Sequence, residues 1–508
     1  MRSSEYIFSL YKPFRNQLRG YNLFDSLQLI WGYSRNFTFN LPLPDDIELP
    51  NGFNPSDDIN DRRFKSIPEF EQEFLLKEII INCHTLPIPS GFSLKRKDKL
   101  AKLIYYLRHT LNEKIDQKYN TQDDFLLEFN RMTHRQFGWQ LSYNSNIILR
   151  YYKIYSEPAV DTIIKNKLQL NTFEIFVLGI YFFYLTGQLF KIDINYNSRI
   201  SFITNEKIKI FFNHFAVPIE KAKEELKAYQ QMNENIFYSY NPLLSKPILI
   251  YKNTLLCPLH LLIFWKMTSG IYYSIVKESG FENAFGNSFQ KYIGEVIFRC
   301  HNKNPQLTIL SEATYGREEK RTTDWIIYDG SAILFIECKT KRMTMVSKSE
   351  IDIKKGLEKD LDTMASAIVQ LYKTYIDYRS NKYPQLIFDE NKKFIPLIVT
   401  LEDWYININP RIMGLLKELV IEKMKESNLE IELIDCYPYH LRSSNDFEKD
   451  IQIINSLGIL SYFDKANKNE LHSITQNFNY TNTFEGEMEK IFVEPLKEAN
   501  KNKSTALI

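Results

Sequence analysis

Residues Thr323–Arg342 read TDWIIYDGSAILFIECKTKR. The apolar runs WIIY and AILFI flank the turn signal YDGSA, which predicts a hairpin with Gly330 able to supply the positive φ that tight turns demand. Both runs end in charge: Asp324 precedes the first, and Glu337 and Lys339 close the second. Buried strands exclude ions, whose transfer out of water is costly unless a partner or metal takes them up. If Gly330 and Ser331 form the loop, Asp329 pairs with Ala332 and Asp324 lies opposite Glu337. If Asp329 and Gly330 form it, Asp324 faces Phe335 and is a diagonal neighbour of Glu337. In either register the two carboxylates meet.

Strand side chains alternate, so Glu337 and Lys339 share a face while Ile336 and Cys338 share the other. Two adjacent carboxylates repel and one protonates, whereas a divalent cation keeps both ionised. Such an oxygen-rich site suits Mg2+, with the backbone carbonyl of Cys338 in position to add a ligand. A metal there lowers the pKa of bound water and neutralises charge on a phosphate oxygen, chemistry that fits phosphodiester hydrolysis. Lys339 is expected to hold or deprotonate the attacking water or to stabilise the developing phosphorane, with a pKa depressed beside a cation.

Working outward, an amphipathic helix with Phe285, Phe289, Tyr292 and Val296 on one stripe precedes a strand, QLTILSEA, and then the hairpin. A second helix follows, carrying Leu357, Leu361, Met364, Ile368, Leu371 and Tyr375 in four-three alternation. The apolar strand FIPLIVTL, a helix over Arg411–Glu426 and a strand LEIELIDCY complete the run. Apolar strands flanked by helices imply a sheet covered on both faces. Beyond about residue 440, two helices and a frayed end are expected.

Upstream, residues 1 to about 65 mix Pro, Gly and Asp and read as an irregular arm. From Ile67 to about residue 230 the apolar spacing is helical throughout. ITNEKIKIFFNHFAVPIEKAKEELKAY has the outline of a helix-turn-helix, but Glu220, Glu224 and Glu225 on its second helix fit a solvated face better than one laid on phosphates. A hairpin turning at Lys252 and Asn253 leads into the next helix. The run Ile175–Leu185 is too short to span a membrane and reads as a core helix.

The 508 residues suffice for two or three domains, and the net charge of +2 advertises no global nucleic-acid field. The five cysteines are scattered, without CxxC pairs, which indicates neither a disulfide framework nor a structural zinc and points to a reducing cytoplasm. The first residues interleave charge with apolar residues, unlike a secretory signal.

Asp324 followed by the Glu337-Cys338-Lys339 stretch, inside this order of helices and strands, resembles the PD-(D/E)xK nuclease superfamily over about residues 280–440. With the patterns read along the rest of the chain, this gives an α+β multidomain organisation: an N-terminal arm (1–65), an all-helical domain for substrate or partner recognition (66–278), a core that the resemblance implies to be restriction-endonuclease-like, with a central mixed sheet flanked by helices (279–440), and a short helical C-terminal extension (441–508). The resemblance implies that Asp324 and Glu337 are metal ligands and Lys339 the catalytic lysine, with Mg2+, or Mn2+ in its place, as cofactor. Members with a GxxFE helix place a metal-facing glutamate where this chain has Gln290, so Gln290 becomes an accessory group and Glu295, then Glu282, the carboxylate substitute. Gln370 resembles the glutamine many relatives keep near the site. Lys341, Arg342 and Lys348, with Lys354 and Lys355, form a basic patch suited to phosphates, and Glu312 and Arg321 are expected to form a salt bridge. The function implied is a DNA endonuclease, with double-stranded DNA as partner, no membrane, and a role against foreign DNA; a protein partner or homo-oligomer is compatible. Two alternatives are an RNA-cutting member and a non-catalytic nucleic-acid-binding or assembly protein.

Overall fold

The structure is a computed structural model that describes residues 4–48, 67–87, 89–118, 122–140, 144–197, 202–232, 239–303, 306–344, 348, 356–406, 409–468, 470, 475–476 and 478–501. Where an irregular arm is expected, the chain instead forms two helices, α1 (Ser4–Leu18) and α2 (Leu23–Phe39). Tyr11, Phe14 and Leu18 recur at three-to-four spacing and are buried, which outweighs the cost of Pro13 inside α1. Asn22 caps α2 by accepting from the amides of Phe24 and Asp25.

The region that follows is helical as expected: α3 (Glu69–Asn82), α4 (Lys97–Lys118), α5 (Gln122–Gln140), α6 (Ser145–Tyr155), α7 (Pro158–Leu168) and α8 (Thr172–Gln188). Helix α8 carries the apolar run and is packed in the core behind a capping box of Asn171 and Glu174. No single helix among the described residues is long and apolar enough to cross a membrane.

The region is not all-helical, however. Strands β1 (Ile192–Asp193) and β2 (Ala216–Pro218) join a small four-stranded sheet of order β1-β4-β3-β2 with β3 (Ile248–Tyr251) and β4 (Thr254–Leu256). Strand β2 separates α9 (Asn205–Phe215) from α10 (Ile219–Met232), so this segment is no helix-turn-helix. Glu220, Lys221, Glu224 and Lys227 are exposed while Ala222 and Leu226 are buried, the solvated face the sequence suggests. Tyr251 pairs with Thr254 around the expected turn at Lys252 and Asn253, with Lys252 at φ 52°. Helix α11 (Leu261–Trp265) then runs through one π turn (Lys266–Gly270) into α12 (Ile271–Ile275).

The larger sheet begins after α13 (Phe281–Lys303). It comprises β5 (Thr308–Ser311), β8 (Trp325–Tyr328), β9 (Ala332–Lys339), β10 (Lys393–Thr400) and β11 (His440–Ser443), in the order β11-β10-β9-β8-β5, with β9, β10 and β11 paired in parallel and β8 running antiparallel to both of its neighbours, β9 and β5. A separate ribbon of β6 (Thr314–Tyr315) and β7 (Lys320–Arg321) lies between β5 and β8 in sequence. Strand β10 tolerates Pro396 because β11 begins to pair only at Leu397, so the missing amide falls where no ladder bond is needed. Helices α14 (Leu357–Arg379) and α15 (Pro410–Glu426) cover one face through Ile326, Ile333 and Phe335. Residues 429–437, expected as the last strand, instead contain a short helix, α16 (Glu432–Cys436). The strand in question is His440–Ser443, so the sheet runs past the residue-440 boundary. Helices α17 (Ser444–Leu457) and α18 (Ile459–Asn467) then pack with α13 on the other face, against Trp325, Ile327, Leu334 and Ile336.

Candidate active site

The hairpin adopts the first of the two registers: Asp329 donates its amide to the Ala332 carbonyl at 3.1 Å, and Trp325 pairs with Ile336, which sets Asp324 beside Glu337. Gly330 is not the reason, since its φ is not positive. The turn is held by Asp329, whose Oδ1 accepts from the Ser331 amide (2.7 Å), the Ser331 hydroxyl (2.8 Å) and the Ala332 amide (2.9 Å). Its Oδ2 accepts from the Ile459 amide at 2.8 Å, fastening the turn to the start of α18.

At the opposite end of the hairpin the ladder opens just before Trp325. The Cys338 amide, with no strand partner there, donates to Asp324 Oδ2 at 2.6 Å. Both backbone groups of a strand residue point to the same neighbour, so the Cys338 carbonyl faces this edge too, while its side chain turns to the α13 face. Lys339 Nζ donates to Glu337 Oε1 at 2.8 Å, with the lysine about one-third exposed (35%) and the glutamate less so (16%). Burial, then the charge of Glu337, pushes the Asp324 carboxyl up to about 7, against a partial offset from the Cys338 amide and Lys339. For Lys339, burial opposes the charge but Glu337 and Asp324 outweigh it, so these anions hold the ammonium above its ordinary range; the depression expected of it belongs to the site with a cation beside it. The Lys339–Glu337 ion pair places a positive charge beside the two carboxylates.

The resemblance assigns a divalent cation to this end of the sheet, and the donor set fits one. Asp324 is destabilised as an anion by burial and then by the charge of Glu337, a penalty that a cation would relieve. Among the described residues no three His, Cys, Asp or Glu side chains converge on a metal position. A cation here would rest on two carboxylates and the Cys338 carbonyl, with water completing its shell, the manner in which Mg2+ is ordinarily held.

Other expected site residues distribute differently. Glu295 is engaged by Lys153 (3.0 Å) and Arg299 (2.6 Å) on α13, which lies over the Trp325 face, whereas Asp324, Glu337 and Lys339 point to the α14 face. It is not brought to the carboxylate pair, and Glu282 is exposed in the first turn of α13. Gln290 reaches the neighbourhood through its backbone, its carbonyl accepting from the Trp325 indole at 3.0 Å. Helix α13 can approach that ring only because residue 294 is glycine: a Cβ there would lie 2.1 Å from it. Gln370 is exposed and lines a groove of about 290 Å3 together with Lys339, Lys341, Thr363, Ser366 and Trp404. The polar stripe Thr363, Ser366 and Gln370, at helical spacing beside the apolar stripe of α14, is the signal that could have marked this wall.

The basic patch is largely dismantled. Lys341 is exposed in the groove. Arg342 is buried, its side chain 3% exposed, with Nη1 donating to the Ser269 carbonyl at 2.9 Å and 3.0 Å from Glu402 Oε1. Lys348 Nζ lies 3.7 Å from Glu402 Oε2. Sequence could not show this, because Glu402 sits far downstream at the exit of β10. Lys354 and Lys355 lie outside the described residues. Glu312 and Arg321 form the expected ion pair at 3.4 Å, and the charge of Glu312 also bears on Asp324.

The Asp324 shift has a testable sign. Between its ordinary value of 3.8 and about 7 the folded chain holds a proton that the unfolded chain has lost. Stability therefore falls as pH rises through this window, and the loss is complete above 7. In metal-free buffer, Asp324→Asn is expected to stabilise the fold at pH 8 by on the order of 2 kcal/mol and to change little at pH 4. Urea unfolding at both pH values checks it; equal effects at the two would refute the raised Asp324 pKa.

Compared with protein-family models, with curated proteins and with solved structures, the chain matches none.

Proposed function

We propose that the chain is a Mg2+-dependent nuclease with a restriction-endonuclease-like core, hydrolysing phosphodiester bonds, with DNA as its substrate and invading DNA as its target. The observation carrying this reading is the convergence of Asp324, Glu337 and Lys339 at one end of the sheet, where two carboxylates repel and a lysine adjoins them. A bound divalent cation supplies an activated water and neutralises phosphate charge. Asp324 and Glu337 hold it, the Cys338 amide fixes the Asp324 carboxylate, and the Lys339 ammonium faces charge developing on the phosphate. Lys341 and Gln370 in the adjoining groove orient the strand being cut. Mn2+ is expected to replace Mg2+.

A non-catalytic nucleic-acid-binding or assembly role is the second reading. What favours it is that Arg342 and Lys348 are committed to Glu402, leaving Lys341 as the exposed member of the three. The decisive test incubates plasmid, single-stranded DNA and RNA with the chain and Mg2+, with Asp324→Ala and Lys339→Ala alongside. Cleavage by the parent and its loss in both variants supports the nuclease, and the preferred substrate separates DNA from RNA. Binding without cleavage supports the second reading.

A further inference from the structure

Two chain exits, one from β9 and one from β10, leave the sheet beside the candidate site and enter a shared buried ion cluster. Arg342 lies three residues beyond Lys339, and Glu402 two residues beyond Thr400, the strand partner of Lys339. The ladder continues one step past the strands, with the Leu401 amide donating to the Lys339 carbonyl at 3.1 Å, and the Trp404 indole donates to the Lys341 carbonyl at 3.3 Å. Arg342 then locks the exit in place. Its guanidinium lies 3.0 Å from Glu402, donates to the Ser269 carbonyl, and stands 4.0 Å from the centre of the Tyr272 ring.

The partners outside the sheet come from the N-terminal region. Ser269 belongs to the π turn and Tyr272 to α12, while the Tyr151 hydroxyl, on α6, donates to Glu402 Oε1 at 3.1 Å and accepts from the Ser269 hydroxyl at 3.0 Å and from Arg342 Nη2 at 3.4 Å. Lys348 adds a second cation to Glu402. A surface ion pair would be worth little. Here Arg342 is 3% exposed and Glu402 21%, and although the guanidinium Nε finds no hydrogen-bond partner, Glu402, the Ser269 carbonyl and the Tyr272 ring hold Arg342 from three directions, so its geometry is set by the surrounding fold.

Resting on the nuclease reading, we infer that Arg342 is a positioning residue, which sets the Lys339 ammonium against the carboxylate pair by clamping the exit of β9 to Glu402 and to the N-terminal helices through Tyr151 and Ser269. The N-terminal region thereby contributes to catalysis without supplying a group to the reacting atoms.

The test measures cleavage and amide hydrogen exchange on the full chain. Because misplacing a catalytic group by about 1 Å can cost about 100-fold in rate, Arg342→Gln is expected to lower kcat by about 10- to 100-fold with KM within about twofold, and Arg342→Lys to fall between it and the parent. Tyr151→Phe leaves no buried charge unpaired, so it reports even if Arg342→Gln fails to fold, and a smaller kcat loss of about threefold is expected from the hydroxyl it removes. Exchange at residues 338–341 should quicken in each folded variant. A rise in KM with kcat unchanged would mean that Arg342 contacts substrate and overturns the inference, as would unchanged kinetics in folded variants. A parent that cuts nothing defeats the nuclease reading and the catalytic role with it, while exchange separately scores the clamp: no change at residues 338–341 refutes it.

Discussion

Lys339→Met is expected to reduce cleavage by on the order of 1000-fold while the chain still gains thermal stability from Mg2+. In the proposed mechanism the lysine contributes charge, not a ligand, so removing it would strip the phosphate of its facing cation yet leave both carboxylates. Glu337→Gln should behave differently and lose cleavage and Mg2+ stabilisation together, because it takes away one of the two proposed anionic ligands. The contrast is read by single-turnover cleavage of a labelled duplex and by melting curves across a Mg2+ series. Full activity in Lys339→Met, or undiminished Mg2+ stabilisation in Glu337→Gln, contradicts the assignment of roles.

The second large effect lies away from the chemistry. Arg150 on α6 donates through Nε to Glu448 Oε1 on α17 at 2.6 Å, with side chains 3% and 7% exposed, and the Tyr292 hydroxyl donates to the same oxygen at 2.7 Å. Arg150→Met leaves Glu448 buried without its counter-charge and should destabilise the fold by about 3–5 kcal/mol. Adding Glu448→Leu is expected to restore much of the loss, since replacing both members of a buried pair is far milder than removing one. Urea midpoints for the two single variants and the double variant measure the coupling; a double variant as unstable as the sum of the singles would show that the ion pair is not the cause.

Local signals carried the hairpin. The alternation of WIIY and AILFI and the charges beyond them placed the carboxylates together, although the turn is set by the Asp329 side chain and not by a positive-φ glycine. Helices with long apolar stripes, such as Leu357–Arg379, were equally legible. The last strand was not, since apolar alternation over 429–437 suits a strand or a helix, while His440–Ser443 becomes a strand by pairing with β10, a contact no local pattern encodes. Helix α1 was hidden by Pro13 and scattered charge. The fate of Arg342 was hidden for a similar reason: its partners are Glu402, Ser269 and Tyr151, and a basic run looks the same in sequence whether it meets phosphate or a buried glutamate.

The Arg150–Glu448 bond joins positions 298 residues apart, and the hairpin turn is fastened to Ile459. During synthesis the emerging polypeptide must therefore carry an unmatched arginine and an open sheet edge until the stretch around 440–460 has left the ribosome. Late closure of this kind is expected to make truncation upstream of Glu448 damaging even where every group of the candidate site has already been translated.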